Sequence, residues 1–116
     1  MENKKSKQNI ELLEKLLSHD LKIINFFQTD LTKYKILLII MKNHYKNQEE
    51  TIEKIVESLP LTVSSRAHKL NCITEAAVRN YLIKKPSKND LRKKNLIPSQ
   101  DLIIEFEKYL NIFSNI

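Results

Sequence analysis

The stretch YLIKKPSKNDLRKKNLIP, from Tyr81 to Pro98, has two short apolar ends around a cationic middle. Leu82 and Ile83 at one end and Leu96 and Ile97 at the other can pair as two strands. The intervening 86–94 is too polar and too charged to pack and reads as the loop that joins them. The expected product is a β-hairpin with a basic tip, placed directly after an amphipathic helix.

Charge is concentrated around this hairpin. From Ser64 to Asn95 the chain carries nine cations, Arg66, Lys69, Arg79, Lys84, Lys85, Lys88, Arg92, Lys93 and Lys94, against Glu75 and Asp90, a surplus of +7. The whole chain carries +6, so everything outside this segment sums to −1. Lys outnumbers Arg 17 to 3, as an AT-rich coding sequence would produce, but such a bias does not explain why all three arginines fall within the basic segment. A localised basic face attracts a polyanion at long range. Guanidinium groups add forked contacts to phosphate or guanine.

Working outward, Ser64 or Ser65 can cap a helix whose inner face is Ala67, Leu70, Ile73 and Ala77, with Cys72 and Ala76 beside it. Before it, Asn47 followed by Glu50 resembles a capping box opening a short helix through Ile52, Ile55, Val56 and Leu59, which Pro60 ends. The pair forms a helix-turn-helix. Upstream, Leu31 to Tyr45 is apolar nearly all round and reads as the central core helix, with Asp30 as its N-cap. From Asn9 to Gln28, Ile10, Leu13, Leu17, Leu21, Ile24 and Phe27 recur at helical spacing and predict one long amphipathic helix. Beyond the hairpin, Ser99 caps a last helix with Leu102, Ile103, Phe106, Tyr109, Leu110 and Phe113 along one side.

The fold class expected is mainly α with a small β-hairpin, a winged helix-turn-helix with extra N- and C-terminal helices. A chain of 116 residues closes one core, so 9–116 is expected to be a single domain after a disordered tail at 1–8. Its parts are an N-terminal dimerisation helix at 9–28, the winged helix-turn-helix at 31–98 and a C-terminal helix at 99–114.

Several classes are disfavoured. The start of the chain has no signal-peptide h-region, and the longest apolar run, Ile36 to Met41, is too short to span a bilayer, so a cytoplasmic, nucleoid-associated protein is expected. Cys72 stands alone and forms no internal disulfide; its expected place is the core, as a small apolar residue. His19, His44 and His68 show no metal-ligand spacing with it, so no metal and no cofactor are expected. Without Gly there is neither a P-loop nor a dinucleotide fingerprint. No nucleophile triad or carboxylate pair rises above coincidence, which argues against an enzyme.

Residues 64–98 resemble the MarR-type winged-helix regulators. The resemblance lies in a helix opening S-S-R, a strand Y-L-I-K-K and a wing K-P-S-K-N-D-L-R-K-K, close to the family's R-R-P-x-x-x-D-x-R. It implies that Asp90 braces Arg92, that Arg92 reaches into the minor groove, and that the first and last helices build a homodimer. Asn80 stands where the family usually has a glycine. The turn between the two motif helices is longer than usual, and one C-terminal helix replaces the usual two.

On this reading the protein is a bacterial transcriptional regulator that binds specific double-stranded DNA, with a recognition helix in the major groove. Ser64, Ser65, Arg66, His68 and Lys69 are the recognition-helix contacts. Arg66 is the expected base reader, its alternative being an ion pair with Glu53 or Glu57. Lys85, Lys88, Asn89, Asp90, Arg92, Lys93 and Lys94 form the wing site. A second register places helices at Thr62 to Leu70 and Thr74 to Lys85. The competing functions are a winged-helix protein-interaction module and a non-specific binder of RNA or DNA. No pattern identifies a small-molecule effector.

Overall fold

The computed structural model describes residues 3–17 and 19–114. Among the described residues there are six α-helices, α1 (Asn3–Lys15), α2 (Lys22–Gln28), α3 (Leu31–Tyr45), α4 (Ile52–Ser58), α5 (Arg66–Val78) and α6 (Gln100–Ser114), and a small sheet of strands β1 (Glu50–Thr51), β2 (Leu82–Pro86) and β3 (Lys94–Pro98). This is the expected winged helix, preceded by α1 and α2 and followed by α6.

Helix α3 is the axis of the core. Ile36, Leu37, Ile40 and Met41 are each at most 1% exposed. Around them pack Ile24 and Phe27 of α2, Ile55 and Val56 of α4, Cys72, Ile73 and Ala76 of α5, Leu82 and Leu96 of the hairpin, and Leu102, Phe106 and Tyr109 of α6. Asp30 caps α3 by accepting the Thr32 and Lys33 N–H groups, and Ser99 caps α6 through the Leu102 N–H.

The chain has no glycine, yet two helices end in left-handed turns, with Asn as the αL residue at each. Asn47 at φ 56° closes α3, with Gln48 N–H donating to Asn43 O and Asn47 N–H to His44 O. Asn80 at φ 63° closes α5 in the same way, with Tyr81 N–H donating to Ala76 O and Asn80 N–H to Ala77 O. Both are Schellman motifs, and Asn is the residue after Gly that best tolerates this backbone.

The expected hairpin forms, and its register sets Leu82 opposite Pro98, Ile83 opposite Ile97 and Lys84 opposite Leu96. A third strand was not anticipated. Glu50 and Thr51 pair with Leu96 and Asn95, making β3 the central strand of the order β1-β3-β2. The capping box expected from Asn47 and Glu50 is therefore absent: Asn47 ends α3, Glu50 is in the sheet, and Thr51 caps α4 through the Lys54 N–H.

The N-terminal helix also differs from expectation. Helix α1 begins at Asn3, inside the segment expected to be disordered, and residues 1–2 lie outside the described ones. The single helix expected over 9–28 is interrupted, and a 3-10 turn at His19–Leu21 precedes α2. No residue of α1 is buried, whereas Leu21, Ile24 and Phe27 are at most 1% exposed. A straight helix cannot both project outward and seat Ile24 and Phe27 on α3, so the chain bends between these two parts. Leu21 offers no side-chain cap at the bend; Glu105 of α6 accepts the Ile24 N–H at 2.6 Å instead. The result is elongated, 58 × 30 × 24 Å. Among the described residues no helix is long and apolar enough to cross a membrane.

Candidate nucleic-acid interface

Helix α5 is one continuous helix from Arg66 to Val78, and Leu82 to Pro86 is a strand, which rules out the second register. Ser65 is the N-cap, its Oγ accepting the His68 N–H at 3.1 Å. Ser64 is half-buried and takes a 2.9 Å hydrogen bond from the Thr32 hydroxyl. Only the cap function foreseen for this serine pair is visible in the internal bonding.

The other residues expected at the groove are tied to the protein. Arg66 meets Glu53 of α4, one guanidinium nitrogen lying 2.8 and 2.7 Å from the two carboxylate oxygens. The hydrogen bond to Glu53 raises the Arg66 pKa further. His68 Nε2 lies 2.8 Å from Asp30 Oδ2. Burial pushes the Asp30 carboxyl up, but hydrogen bonds from His68 and from the Thr32 and Lys33 N–H groups outweigh this and hold it below its ordinary value.

Lys69 requires a correction. It does not face the groove but is 1% exposed, and its amino group donates to the Leu59 carbonyl at 2.8 Å. Leu59 is the C-cap of α4, where carbonyls have no intrahelical donor. The lysine stem fills space between α4 and α5 while its tip satisfies that oxygen. The helix is accordingly rotated from the expected orientation. Lys69, Cys72, Ile73 and Ala76 are its buried residues, Ala67 is exposed and Ala77 half-buried.

The rotation turns another stripe outward. Ala67, Asn71, Thr74 and Val78 follow one another at helical spacing and are all exposed. Small and amide-bearing side chains suit contact with base edges, Asn with adenine and Ala or Thr with the thymine methyl. Sequence reasoning missed these positions because it sought charge. The available signal was a row of small or polar residues opposite Lys69, Cys72 and Ile73.

The hairpin tip has a different character. Ser87 N–H donates to Lys93 O, and Lys93 N–H to Asp90 O, both at 2.9 Å, closing the loop. Asp90 Oδ1 accepts the Arg92 backbone N–H at 3.0 Å and the Arg92 Nε at 3.2 Å, while Oδ2 takes a guanidinium nitrogen at 3.3 Å. The brace expected from the resemblance is thus present. Arg92 beside Asp90 holds its carboxyl below the usual range. The Arg92 side chain remains 91% exposed.

Lys88, Asn89, Lys93 and Lys94 are exposed, and among the described residues none of the three lysines is in ion-pair range of a carboxylate. Lys85 differs: it is half-buried and paired to Glu49 at 2.9 Å. Arg79, at the end of α5, lies over the Phe26 ring at 4.9 Å.

Cys72 is buried as expected, and burial followed by the Asp30 charge pushes its thiol up to about 11. Its sulfur lies 3.6 Å from His68 Nε2, so the separation of cysteine from histidine expected from the sequence does not hold.

No protein-family profile matches the chain, and no curated protein sequence does. Solved structures do. A MarR-like transcription regulator from Bacillus cereus superposes with a TM-score of 0.57 at 16% identity, covering 99% of this chain and 78% of its own. A transcriptional regulator from Thermotoga maritima gives 0.58 at 14% identity, covering 97% and 75%. The transcriptional repressor CouR, bound to a 23-mer DNA duplex, gives 0.58 at 14% identity, covering 94% and 69%. At such identities the likeness establishes the fold: this chain has the winged-helix architecture of MarR-like regulators.

Proposed function

We propose that the chain is a homodimeric bacterial transcriptional regulator of MarR type, acting in the cytoplasm at the nucleoid, that binds a specific double-stranded DNA site. Helix α5 enters the major groove and the β2–β3 tip lies beside the adjacent minor groove. The observation that carries this reading is the tip, where Lys88, Lys93 and Lys94 are exposed and, among the described residues, outside ion-pair range of any carboxylate, and Arg92 is oriented by Asp90. Lysines that serve only for solubility need no such brace beside them.

Within this reading Asn71 and Thr74 meet base edges, and Ala67 meets a thymine methyl. Ser65 and Arg66 meet phosphate. The Arg66–Glu53 pair is half-exposed on both sides, and exposed pairs are worth little, so a phosphate can displace Glu53. Lys69 has no role at the groove, and His68 acts on α3 rather than on DNA.

The dimer reading is supported by apolar surface on the terminal helices. Ile10 and Leu13 of α1 are 58% and 49% exposed, Leu17 in the turn after it is 65% exposed, and Phe113 of α6 is 58% exposed. A second copy would cover this surface through a two-fold axis and set two α5 helices against successive half-sites. Light scattering of the full chain is expected to give a dimer, and Leu13→Glu a monomer; a stable wild-type monomer would remove this part.

The decisive experiment titrates the protein against random duplex, duplex selected from a random pool, and single-stranded RNA at two salt concentrations. A specific regulator prefers the selected duplex by at least about 10³-fold. Equal affinities that vanish together as salt rises would instead mark a general polyanion binder.

A further inference from the structure

Asp30, at the start of α3, meets His68 and Cys72 of α5. The His68 Nε2 lies 2.8 Å from Asp30 Oδ2 and 3.6 Å from Cys72 Sγ, and the three donor atoms all fall within 4.8 Å of one another. We propose that Asp30, His68 and Cys72 form a binding site for a thiophilic divalent cation of the Zn2+ class. The proposal does not depend on the DNA-binding reading.

The geometry fits such an ion. Four residues of α-helix place His68 and Cys72 on one face. With a Zn–N distance of ~2.0 Å and a Zn–S distance of ~2.3 Å, tetrahedral coordination separates the two donors by about 3.5 Å, close to the separation seen. Nitrogen and carboxylate oxygen would stand about 3.3 Å apart, so Asp30 Oδ2 must draw back from His68 by roughly half an ångström. The third pair, Asp30 Oδ2 and Cys72 Sγ, lies within 4.8 Å and must stand about 3.5 Å apart around the ion, so the carboxylate swings toward the sulfur as it leaves the imidazole.

The surroundings favour the same conclusion. The Asp30 carboxylate is divided in its duties: Oδ1 accepts the Thr32 and Lys33 N–H groups at 2.7 and 3.4 Å, leaving Oδ2 turned toward His68. A cap that holds one oxygen orients the other, as outer hydrogen bonds do around protein-bound metals. One imidazole, one thiol and one carboxylate suit Zn2+ and not Mg2+ or Ca2+, which take oxygen donors. The His68 and Asp30 side chains keep 43% and 29% exposure, which leaves a side open for entry and for water as fourth ligand. Lys33 and Glu75, the neighbouring charges that act on the thiol, face each other at 3.5 Å and largely offset one another.

Without a cation, the high pKa of the Cys72 thiol keeps it protonated at neutral pH. On binding, the thiol proton leaves to solvent and the freed sulfur lone pair forms the bond to the metal. Because Asp30 belongs to α3 and the other two ligands to α5, the ion would link the two helices and stabilise their packing.

The test titrates metal-stripped protein with Co2+ as a spectroscopic probe. The expected result is a near-ultraviolet thiolate-to-metal band with strong visible bands of four-coordinate Co2+, saturating at one ion per chain and bleached by Zn2+. Cys72→Ser loses the charge-transfer band, with Cys72→Ala as the alternative if serine at this buried position unfolds the chain. His68→Ala and Asp30→Asn, the latter keeping the helix cap, weaken Zn2+ binding by at least about 10-fold. At one Zn2+ concentration the thermal midpoint rises more in the wild type than in His68→Ala. No thiolate band at stoichiometric Co2+, or a spectrum unchanged in Cys72→Ala or His68→Ala, would overturn the proposal and leave Asp30–His68 as a hydrogen-bonded pair only.

Discussion

The first turn of α5 and the tip of the β2–β3 hairpin both look like polyanion sites in sequence, yet they use their polar side chains in different ways. Arg66, His68 and Lys69 each point back to the protein, to Glu53, Asp30 and the Leu59 carbonyl. Among the described residues Lys88, Lys93 and Lys94 form no ion pair, although Glu49 and Asp90 feel the charges of Lys88 and Lys93, and the hydrogen bonds from Arg92 to Asp90 leave the guanidinium open to solvent. The difference arises from what lies alongside. The start of α5 has α3 and α4 for neighbours, and their ends supply a carboxylate and an orphan carbonyl. At the tip Glu49 and Asp90 lie near Lys88 and Lys93 without closing an ion pair to either. A cation count therefore measures long-range attraction, whereas availability for contact depends on packing.

Three variants test this contrast. The largest effect is expected at the tip. Replacing Lys88, Lys93 and Lys94 together by Ala should flatten the dependence of log K on log salt by about 2.7 per chain and weaken binding roughly 100-fold or more at ~0.1 M salt. Thermal stability should be unchanged, and an unaltered salt slope in anisotropy titrations would sink the contrast. Lys69→Ala should behave in the opposite way. By stranding the Leu59 carbonyl and emptying buried space it should cost about 1–3 kcal/mol in urea unfolding, while the salt slope of DNA binding by the folded protein stays at the wild-type value.

The third and smallest effect concerns Asp30, which serves as cap and as partner to His68. Asp30→Ala should cost about 1 kcal/mol near neutral pH. The Asp30 pKa is lowered in the folded chain, so its stabilisation is fully present above the ordinary value of 3.8 and is lost as pH falls through the lower folded value. Wild type and variant should therefore converge in stability under strongly acid conditions. A stability gap that stays constant from neutral pH into that range would show that Asp30 stabilises without its charge.

How much of this could be read in the chain depended on range. Asp30 and Ser99 signalled their caps because each cap is a contact across two or three residues. The hairpin was legible because apolar ends flank an unpackable middle, whereas its register, Ile83 opposite Ile97 with Leu82 opposite Pro98, was decided by the fold. The bend before α2, the strand Glu50–Thr51 and the rotation of α5 were not legible. Each depends on a group distant in sequence: Glu105 under Ile24, Leu96 beside Glu50, Leu59 at the end of Lys69. The same holds for the exposed row Ala67, Asn71, Thr74 and Val78, which is defined by what its opposite face buries.

The order of helices, the hairpin and the position of the basic segment were determined by the sequence itself, because periodicity, capping and charge act between neighbours along the chain. Tertiary structure decided which cations remain available and which side of α5 is presented, and it brought Asp30 to His68 and Cys72. Those outcomes depend on which buried carbonyl or carboxylate finds a donor, and that is settled only when helices distant in sequence pack together.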